Sequence, residues 1–389
     1  MRHLLTLNAG SSSIKFALYG LGDDGPEERA HGQIEGLGTQ PRFEARTPAG
    51  ETMAERALAG GADHQAALAG LLAWLDERFP DVVVEAVGHR VVHGGPVYAE
   101  PLVVDDAVLE RLAGFNPLAP LHQPHNLAGI HAARAAFPEA AQVACFDTAF
   151  HRGHPWVNDV YALPRKYYDQ GVRRYGFHGL SYAYIVHRLR ETAPALVEGR
   201  LVVAHLGNGA SLCAIKGGQP IASTLGFSAL DGLPMGTRCG ELDPGVILYL
   251  LQSEGMDAKR IETLLYKESG LKGLSGISND MRTLEESDAP EAKEAIDYFV
   301  YRLKRELGAM AAAVGGLDGL VFTGGIGEHS TNVRARVCAD LGFLGVAIDE
   351  TKNAAHGPDI AAPGATCRVM VVPTNEEAMI ARETAALLD

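Results

Sequence analysis

Three glycine-rich turns and a few embedded cationic groups are the residues of this chain best suited to chemistry. Asn8-Ala9-Gly10-Ser11-Ser12-Ser13-Ile14-Lys15 sets small residues where backbone amides and hydroxyls can approach a phosphate, and Lys15 adds a point charge. His205-Leu206-Gly207-Asn208-Gly209 is a second such turn. Thr323-Gly324-Gly325-Ile326-Gly327-Glu328-His329 is a third; it follows the apolar segment Gly319–Phe322 and is expected to lead into a helix near Ser330. A strand-to-helix turn of that kind can seat an adenosine or its phosphates. Each turn alone could be a polar hairpin; three in one chain point to phosphate handling.

The cations are the second signal. Gly88-His89-Arg90-Val91-Val92-His93-Gly94-Gly95 puts Arg90 inside an apolar strand pattern, and Met235-Gly236-Thr237-Arg238-Cys239-Gly240 puts Arg238 in a tight loop. A guanidinium in either place needs an anion to offset its desolvation. That anion is either a structural carboxylate, for which Asp147 in Cys145-Phe146-Asp147-Thr148 is placed, or a bound substrate or phosphate. His178 in Tyr175-Gly176-Phe177-His178-Gly179 is two-sided in the same way: a satisfied structural histidine, or a group whose glycine neighbours let a ligand approach.

Two look-alikes are set aside. Gly20-Leu21-Gly22-Asp23-Asp24-Gly25 fits GxGxxG, but Pro26-Glu27-Glu28 follows in place of a helix opening and the aspartates would repel phosphates, so it reads as a surface turn. His89 and His93 have HExxH spacing without the glutamate and on a strand, which argues against a catalytic zinc. No Gly-Lys dipeptide occurs, which excludes a Walker-type loop.

The elements that must position these groups follow from periodicity. Leu4–Leu7 with Ile14–Tyr19, and Leu201–Leu206 with Ser211–Ile215, form two strand–turn–strand units about 200 residues apart, which suggests two similarly built halves. Glu85–Val92, Gln142–Phe146, Leu320–Thr323 and Arg368–Val372 are further strands. His64–Phe79, Asn126–Ala136, Gly245–Ser253, Ala258–Lys267 and Ala292–Val314 are helices. Such alternation predicts an α/β fold with mixed sheets. Gly20–Gly50, rich in Gly, Pro and charge, is expected to be a surface excursion.

With 389 residues, 47% of them hydrophobic, the chain can fill two cores. Its formal charge of -14 argues against nucleic acid or an anionic membrane surface as partner, so an anionic substrate must meet local positive groups. The five cysteines are scattered without a CxxC pair, as expected of thiols in a reducing cytoplasm. No segment reaches the ~20 apolar residues of a membrane span.

In combination the blocks NAGSSSIK, GHRVVHGG, PLAPLH, FDTAFH, YGFHG, HLGNGAS, MGTRCGELDP, GGIGE and PTNEE resemble the acetate kinase family, in the family's order, from Asn8 to Glu377. The resemblance places the chain in the superfamily of actin, sugar kinases and heat-shock chaperones. It implies two duplicated ribonuclease-H-like domains with a nucleotide cleft between them: residues 1–150 with a C-terminal segment of about 377–389, and residues 151–376. It implies transfer of the ATP γ-phosphoryl group to acetate, giving acetyl phosphate and ADP in a homodimer, with Mg²⁺ as cofactor and Mn²⁺ able to substitute.

The same resemblance assigns residues. Asn8 and Glu376 would organise the metal. Lys15, His205, Leu206, Gly207, Asn208 and Gly209 would hold ATP, together with Asp280, Met281, Arg282, Gly325, Ile326, Gly327, Glu328 and His329. Arg90 would clamp the carboxylate, while Val92, Leu121 and Phe177 shape a pocket for the methyl group. His178 and Arg238 would stabilise the transferring phosphoryl group, with His122 and Asn208 nearby, and Asp147 is the family's proposed acid/base. Acetate is already an anion, so Asp147 is better suited to orienting a cation than to removing a proton. Ala229 stands where the family usually has Pro, near the acyl pocket, and Gln123 and His329 each replace a usual Asn. These departures bear on acyl width and nucleotide preference. The alternatives are a propionate kinase on the same scaffold, a phosphohydrolase turning over ATP without acetate, and a non-catalytic nucleotide switch; a carboxylate clamp argues against the last.

Overall fold

The computed structural model describes residues 2–10, 12–23, 25–120 and 122–388. The chain divides into two compact units, Met1–Arg152 with Gly179–Tyr184 and Asn375–Asp389, and Gly153–His178 with Ile185–Thr374.

The first unit is built on strands β1 (Arg2–Ala9), β2 (Ser13–Gly22), β3 (Gly25–Glu35), β4 (Arg42–Arg46), β5 (Thr52–Ala57), β6 (Val84–Val91), β7 (Leu102–Val103) and β8 (Ala141–Phe146). They form one sheet in the order β5-β4-β3-β2-β1-β6-β8-β7. Strand β1 is antiparallel to β2 and parallel to β6, and β6 is parallel to β8. Helices α1 (His64–Arg78) and α3 (Gln123–Ala136) lie where the sequence has helical patterns, and α2 (Asp106–Ala113) is a further helix; α1 opens where Asp63 Oδ1 accepts from Ala66 N at 2.9 Å. Because successive side chains of a strand face opposite ways, Leu5 and Leu7 join the core with α1, while Leu4 packs with Ala381 of the helix Glu376–Ala385. Strand β1 is therefore apolar on both faces, which is why it reads as a continuous hydrophobic run.

The second unit carries β9 (Arg200–Leu206), β10 (Ala210–Lys216), β11 (Gln219–Ser223), β12 (Gly319–Thr323) and β13 (Arg368–Val371), ordered β11-β10-β9-β12-β13. The pairings β9/β10 and β10/β11 are antiparallel, and β9/β12 and β12/β13 parallel. The order and directions repeat β3-β2-β1-β6-β8, so the second sheet duplicates the first. The helix Pro290–Val314 covers it, burying Phe299, Leu303 and Leu307.

Two expectations are corrected. Gly20–Gly50 is not an excursion: β2 runs on to Gly22, and β3 and β4 extend the sheet, with Ile34, Phe43 and Ala45 in the core. The GxGxxG segment is the β2–β3 hairpin turn, Gly25 meeting its φ of +107°. The helix expected near Ser330 is present, Thr331–Cys338 with Ser330 as its cap, but the glycine-rich segment before it is not a turn: Gly324–His329 is itself a helix. Among the described residues no helix is long and apolar enough to cross a membrane.

Candidate active site

In the first unit the carboxyl ends of β1, β6 and β8 emerge at one edge, bringing Asn8, Arg90 and Asp147 together. Arg90 Nε donates to both Asp147 carboxylate oxygens at 3.1 Å, and Nη2 donates to Oδ2 at 2.6 Å. Nη1 reaches Asn8 Oδ1 at a longer 3.3 Å. Glu376, in the first turn of the last helix, sets Oε2 3.7 Å from Nε. The Asp147 side chain is 2% exposed and that of Arg90 22%, so this is a sheltered pair whose guanidinium still meets solvent. Burial works against the Arg90 charge, but the Asp147 and Glu376 carboxylates outweigh it and hold its pKa above the ordinary value. The Glu376 carboxyl is pushed up, chiefly by burial, with Arg90 and Lys15 opposing. Lys15 is exposed and sits directly across the hairpin from Asn8.

Of the two readings of Arg90, Asp147 supplies the structural carboxylate. A guanidinium held by a two-toothed fork is fixed in direction, which is what a substrate clamp requires. Val92 is buried just beyond β6, and His122 precedes the first turn of α3. Leu121 lies outside the described residues. The HExxH look-alike is structural: burial lowers the His89 pKa to about 4, its Nε2 lying 2.8 Å from Gln142 Oε1. Burial also lowers His93 to about 3, and its Nδ1 accepts from Gly95 N at 2.8 Å.

In the second unit His178, His205, Asn208, Gly209 and Arg238 converge. His178 has a left-handed backbone (φ 58°) at the start of the helix Gly179–Thr192; its Nδ1 lies 2.8 Å from Ser211 Oγ and its ring stacks on His205 at 4.3 Å. Arg238 Nη1 donates to the Ala229 carbonyl at 2.9 Å, so the loop with the unusual alanine anchors this arginine. A Cβ at Gly209 would lie 3.2 Å from His178 Nε2 and 3.8 Å from Arg238 Nη1: both face the glycine turn. At Gly236 a Cβ would meet Asn208 Oδ1 at 2.2 Å, so that glycine makes room for Asn208. Phe177 is buried.

The other nucleotide candidates differ in kind. Gly325 has open space around its Cα and His329 is exposed, whereas Gly327 is buried. Glu328 turns inward, its Oε1 accepting from Gly324 N at 2.8 Å and Thr374 N at 3.2 Å; it braces the turn. Asp280 caps a short helix through Thr283 N at 3.0 Å, Met281 is buried and Arg282 exposed.

Sequence reasoning passed over Arg334 and Asn126, and it noted Gln123 only as a departure from the family pattern. Arg334 is fully buried with no carboxylate partner among the described residues, and it donates to the Gly327 and Glu328 carbonyls at 2.8 Å and to Asn353 Oδ1 at 2.7 Å. It thereby caps the C-terminal end of the glycine-rich helix. Asn126 and Gln123 are buried on α3 and bond to the chain beside Asn8 and Arg90. A polar residue among helix-forming neighbours is the sequence signal for Arg334 and Asn126.

A divalent cation fits the first group by donor chemistry. Asn8 and Glu376 offer uncharged and carboxylate oxygens on either side of Arg90, the hard ligands such an ion prefers.

Comparison with known proteins gives the family. The description "Acetokinase family" matches residues 3–382. The acetate kinase of Methylocella silvestris is 56% identical over 397 residues, covering 100% of this chain and 98% of that protein. The crystal structure of Porphyromonas gingivalis acetate kinase superposes with a TM-score of 0.90 at 38% identity, covering 100% of both chains. That of a propionate kinase from Francisella tularensis gives 0.92 at 35%, covering 99% of this chain and 100% of the other. A match over nearly the whole length, with the duplicated sheets and clustered charges above, establishes that this chain belongs to the acetokinase family.

Proposed function

We propose that this chain is an acetate kinase, which transfers the γ-phosphoryl group of ATP to acetate by direct in-line attack, reversibly, giving acetyl phosphate and ADP. The observation that carries the reading is the Arg90 guanidinium locked by Asp147 beside Asn8 and Glu376: a directed carboxylate clamp next to oxygen donors for a cation. Arg90 binds and aims the acetate carboxylate, and Val92, Leu121 and Phe177 enclose its methyl group. Asp147 holds Arg90 in direction and takes no proton, since acetate needs no base to become a nucleophile. Lys15, the His205–Gly209 turn, Asp280, Met281, Arg282 and the Gly325–His329 segment hold the nucleotide, with Glu328 and Met281 acting from inside. His178 and Arg238, with Asn208 and His122, stabilise charge on the transferring group, a role that can contribute about 10³–10⁵ in rate. Mg²⁺, held through Asn8 and Glu376 and replaceable by Mn²⁺, supplies neutralisation of phosphate charge when bound.

The likeness to a propionate kinase, together with Ala229 on the loop that anchors Arg238, supports a second reading in which propionate is also accepted. One methylene is worth only about 1–3 kcal/mol in such a pocket. A coupled assay over short carboxylates, with and without Mg²⁺, tests both. Acetate with the highest kcat/KM supports the first reading, propionate the second, and ATP turnover independent of any carboxylate refutes both. The five free cysteines suit a cytoplasmic protein. Self-association as a homodimer is supported by the helix Pro244–Gln252, apolar in sequence yet without one buried residue.

A further inference from the structure

Strands β1 and β6 pair in parallel as far as Leu7 and His89, and Asn8 and Arg90 lie one position beyond. The parallel register between these strands ends there. The side chain of Asn126, 5% exposed on α3, lies where the ladder stops. Its Nδ2 donates to the Ala9 carbonyl at 2.7 Å, and its Oδ1 accepts from Val92 N at 3.0 Å. Ala9 follows Asn8, and Val92 lies two residues after Arg90. One carboxamide thus bridges the two segments just beyond the end of their paired register.

The neighbouring turns of α3 support the same contact. Three residues earlier, Gln123 accepts from His93 N at 3.2 Å and donates to the His93 carbonyl at 3.0 Å. Three residues later, an added Cβ at Gly129 would lie 2.7 Å from Ala9 Cβ, so only glycine lets the helix come this close. Residues at i, i+3 and i+6 share a face, and here that face grips the ends of both strands.

We infer that Asn126 is a positioning residue, which fixes the metal-side Asn8 and the carboxylate-side Arg90 and Val92 in one register. The inference rests on the assignment of Asn8 and Arg90 to the site. Only an amide satisfies both partners: a carboxylate cannot donate to Ala9, and an aliphatic chain leaves two buried polar groups unpaired.

Asn126→Asp keeps the size and the acceptor and turns the donor into an oxygen facing another oxygen. The expected result is a fall in kcat on the order of 10²-fold, the scale of a misplacement near 1 Å. The half-saturating Mg²⁺ concentration should rise about 10–100-fold, as when groups supporting a ligand are removed. The acetate KM should move less than either. In the metal-free protein, amides of residues 9–13 and 92–94 should exchange hydrogen faster than in the wild type. Phe43→Leu, in the core three strands from β1, controls for stability: a similar loss of Tm should leave Mg²⁺ dependence and loop exchange unchanged. If Asn126→Asp does not fold, Gly129→Ala presses on the same contact and should give the same pattern. Unchanged kcat, Mg²⁺ dependence and loop exchange in Asn126→Asp, with Asn8→Ala and Arg90→Ala inactive, would overturn the inference. Activity surviving in Asn8→Ala and Arg90→Ala would instead refute the site assignment, and loop exchange alone would then decide whether Asn126 holds the segments together.

Discussion

Replacing Asp147 by Asn separates the two roles this carboxylate could have. In the wild type its oxygens receive Nε at 3.1 Å and Nη2 at 2.6 Å from a guanidinium whose own side chain is 22% exposed. Asn keeps the volume but brings an NH₂ group against one of these donors, so one tooth of the fork becomes a donor–donor clash. Breaking a buried pair by removing one partner costs about 3–5 kcal/mol. The lower end applies here, because Glu376 remains 3.7 Å away as a substitute anion and Arg90 is partly hydrated. About 3 kcal/mol corresponds to a drop in Tm of about 6–12 °C for a unit of this size. On activity, a loosened Arg90 loses its aim before its charge. The acetate KM should therefore rise at least tenfold, and the pH–rate profile should keep its shape, since no proton is transferred. Calorimetry with steady-state kinetics from pH 5.5 to 9 reads both. A wild-type KM with kcat abolished, and loss of a pH limb present in the wild type, would identify Asp147 as a base and refute the orienting role.

Arg238→Ala and His178→Ala should lower kcat far more than they raise either KM, because both face the glycine turn where charge would develop; a change in KM alone would make them ground-state binders. The Glu383 carboxyl is pushed up to about 7 from 4.5 by burial, with Asp147 adding to the rise and a Cys145 bond opposing it. A raised carboxyl pKa means that the folded state holds the proton longer, so this group's contribution falls as pH rises from 4.5 to about 7 and stays low above, by about 3 kcal/mol before discounting for solvent relaxation. Glu383→Gln should accordingly raise Tm at pH 8 and leave it unchanged near pH 4.5, and equal Tm at both values would sink the argument. In the helix Pro244–Gln252, Leu248 and Tyr249 are each 54% exposed, and Leu248→Glu should convert a dimer to a monomer in sedimentation velocity. A dimer that persists would place the interface elsewhere.

The elements legible in the sequence were those whose signal is local. Strand β1 announces itself as an apolar run because it is covered on both faces, and Ala258–Lys267 shows a helical stripe with Asp257 as cap. Strand β4 has the alternation Arg-Phe-Glu-Ala-Arg, with Phe43 and Ala45 buried, but five residues amid glycines carry too little pattern. What makes it a strand is pairing with β3 and β5, which no local window contains. The helix Gly324–His329 was hidden for another reason: glycine is a poor helix former, and the segment is held by side chains, its own Glu328 on the first amide and Arg334 from beyond it on the last carbonyls. At the site, charged residues in glycine-rich blocks stood out. Asn126 did not, because its partners are 117 and 34 residues away and an Asn near a helix start reads as a cap.

On the proposed function, the repeated sheet gives a reason for where each unit carries its chemistry. In both, the central strand (β1 or β9) is flanked by an antiparallel neighbour on one side and two parallel strands on the other. Parallel strands direct their carboxyl ends to one edge, where the backbone leaves the ladder and offers free amides and carbonyls. The first unit fills that edge with Asn8, Arg90 and Asp147, an ion-pairing set. The second fills it with Gly207–Gly209 after β9 and the short helix Gly324–His329 after β12, a set dominated by small residues. On the proposed function one topology carries two chemistries: the half with the ion-paired set takes the small carboxylate and the cation, and the half with the glycine-rich segments takes the polyphosphate. Exchanging the character of one turn should therefore impair one substrate alone. Gly209→Ala, whose Cβ would stand 3.2 Å from His178 Nε2, should raise the KM for ATP and lower kcat while the KM for acetate holds, and a rise confined to acetate would contradict this division.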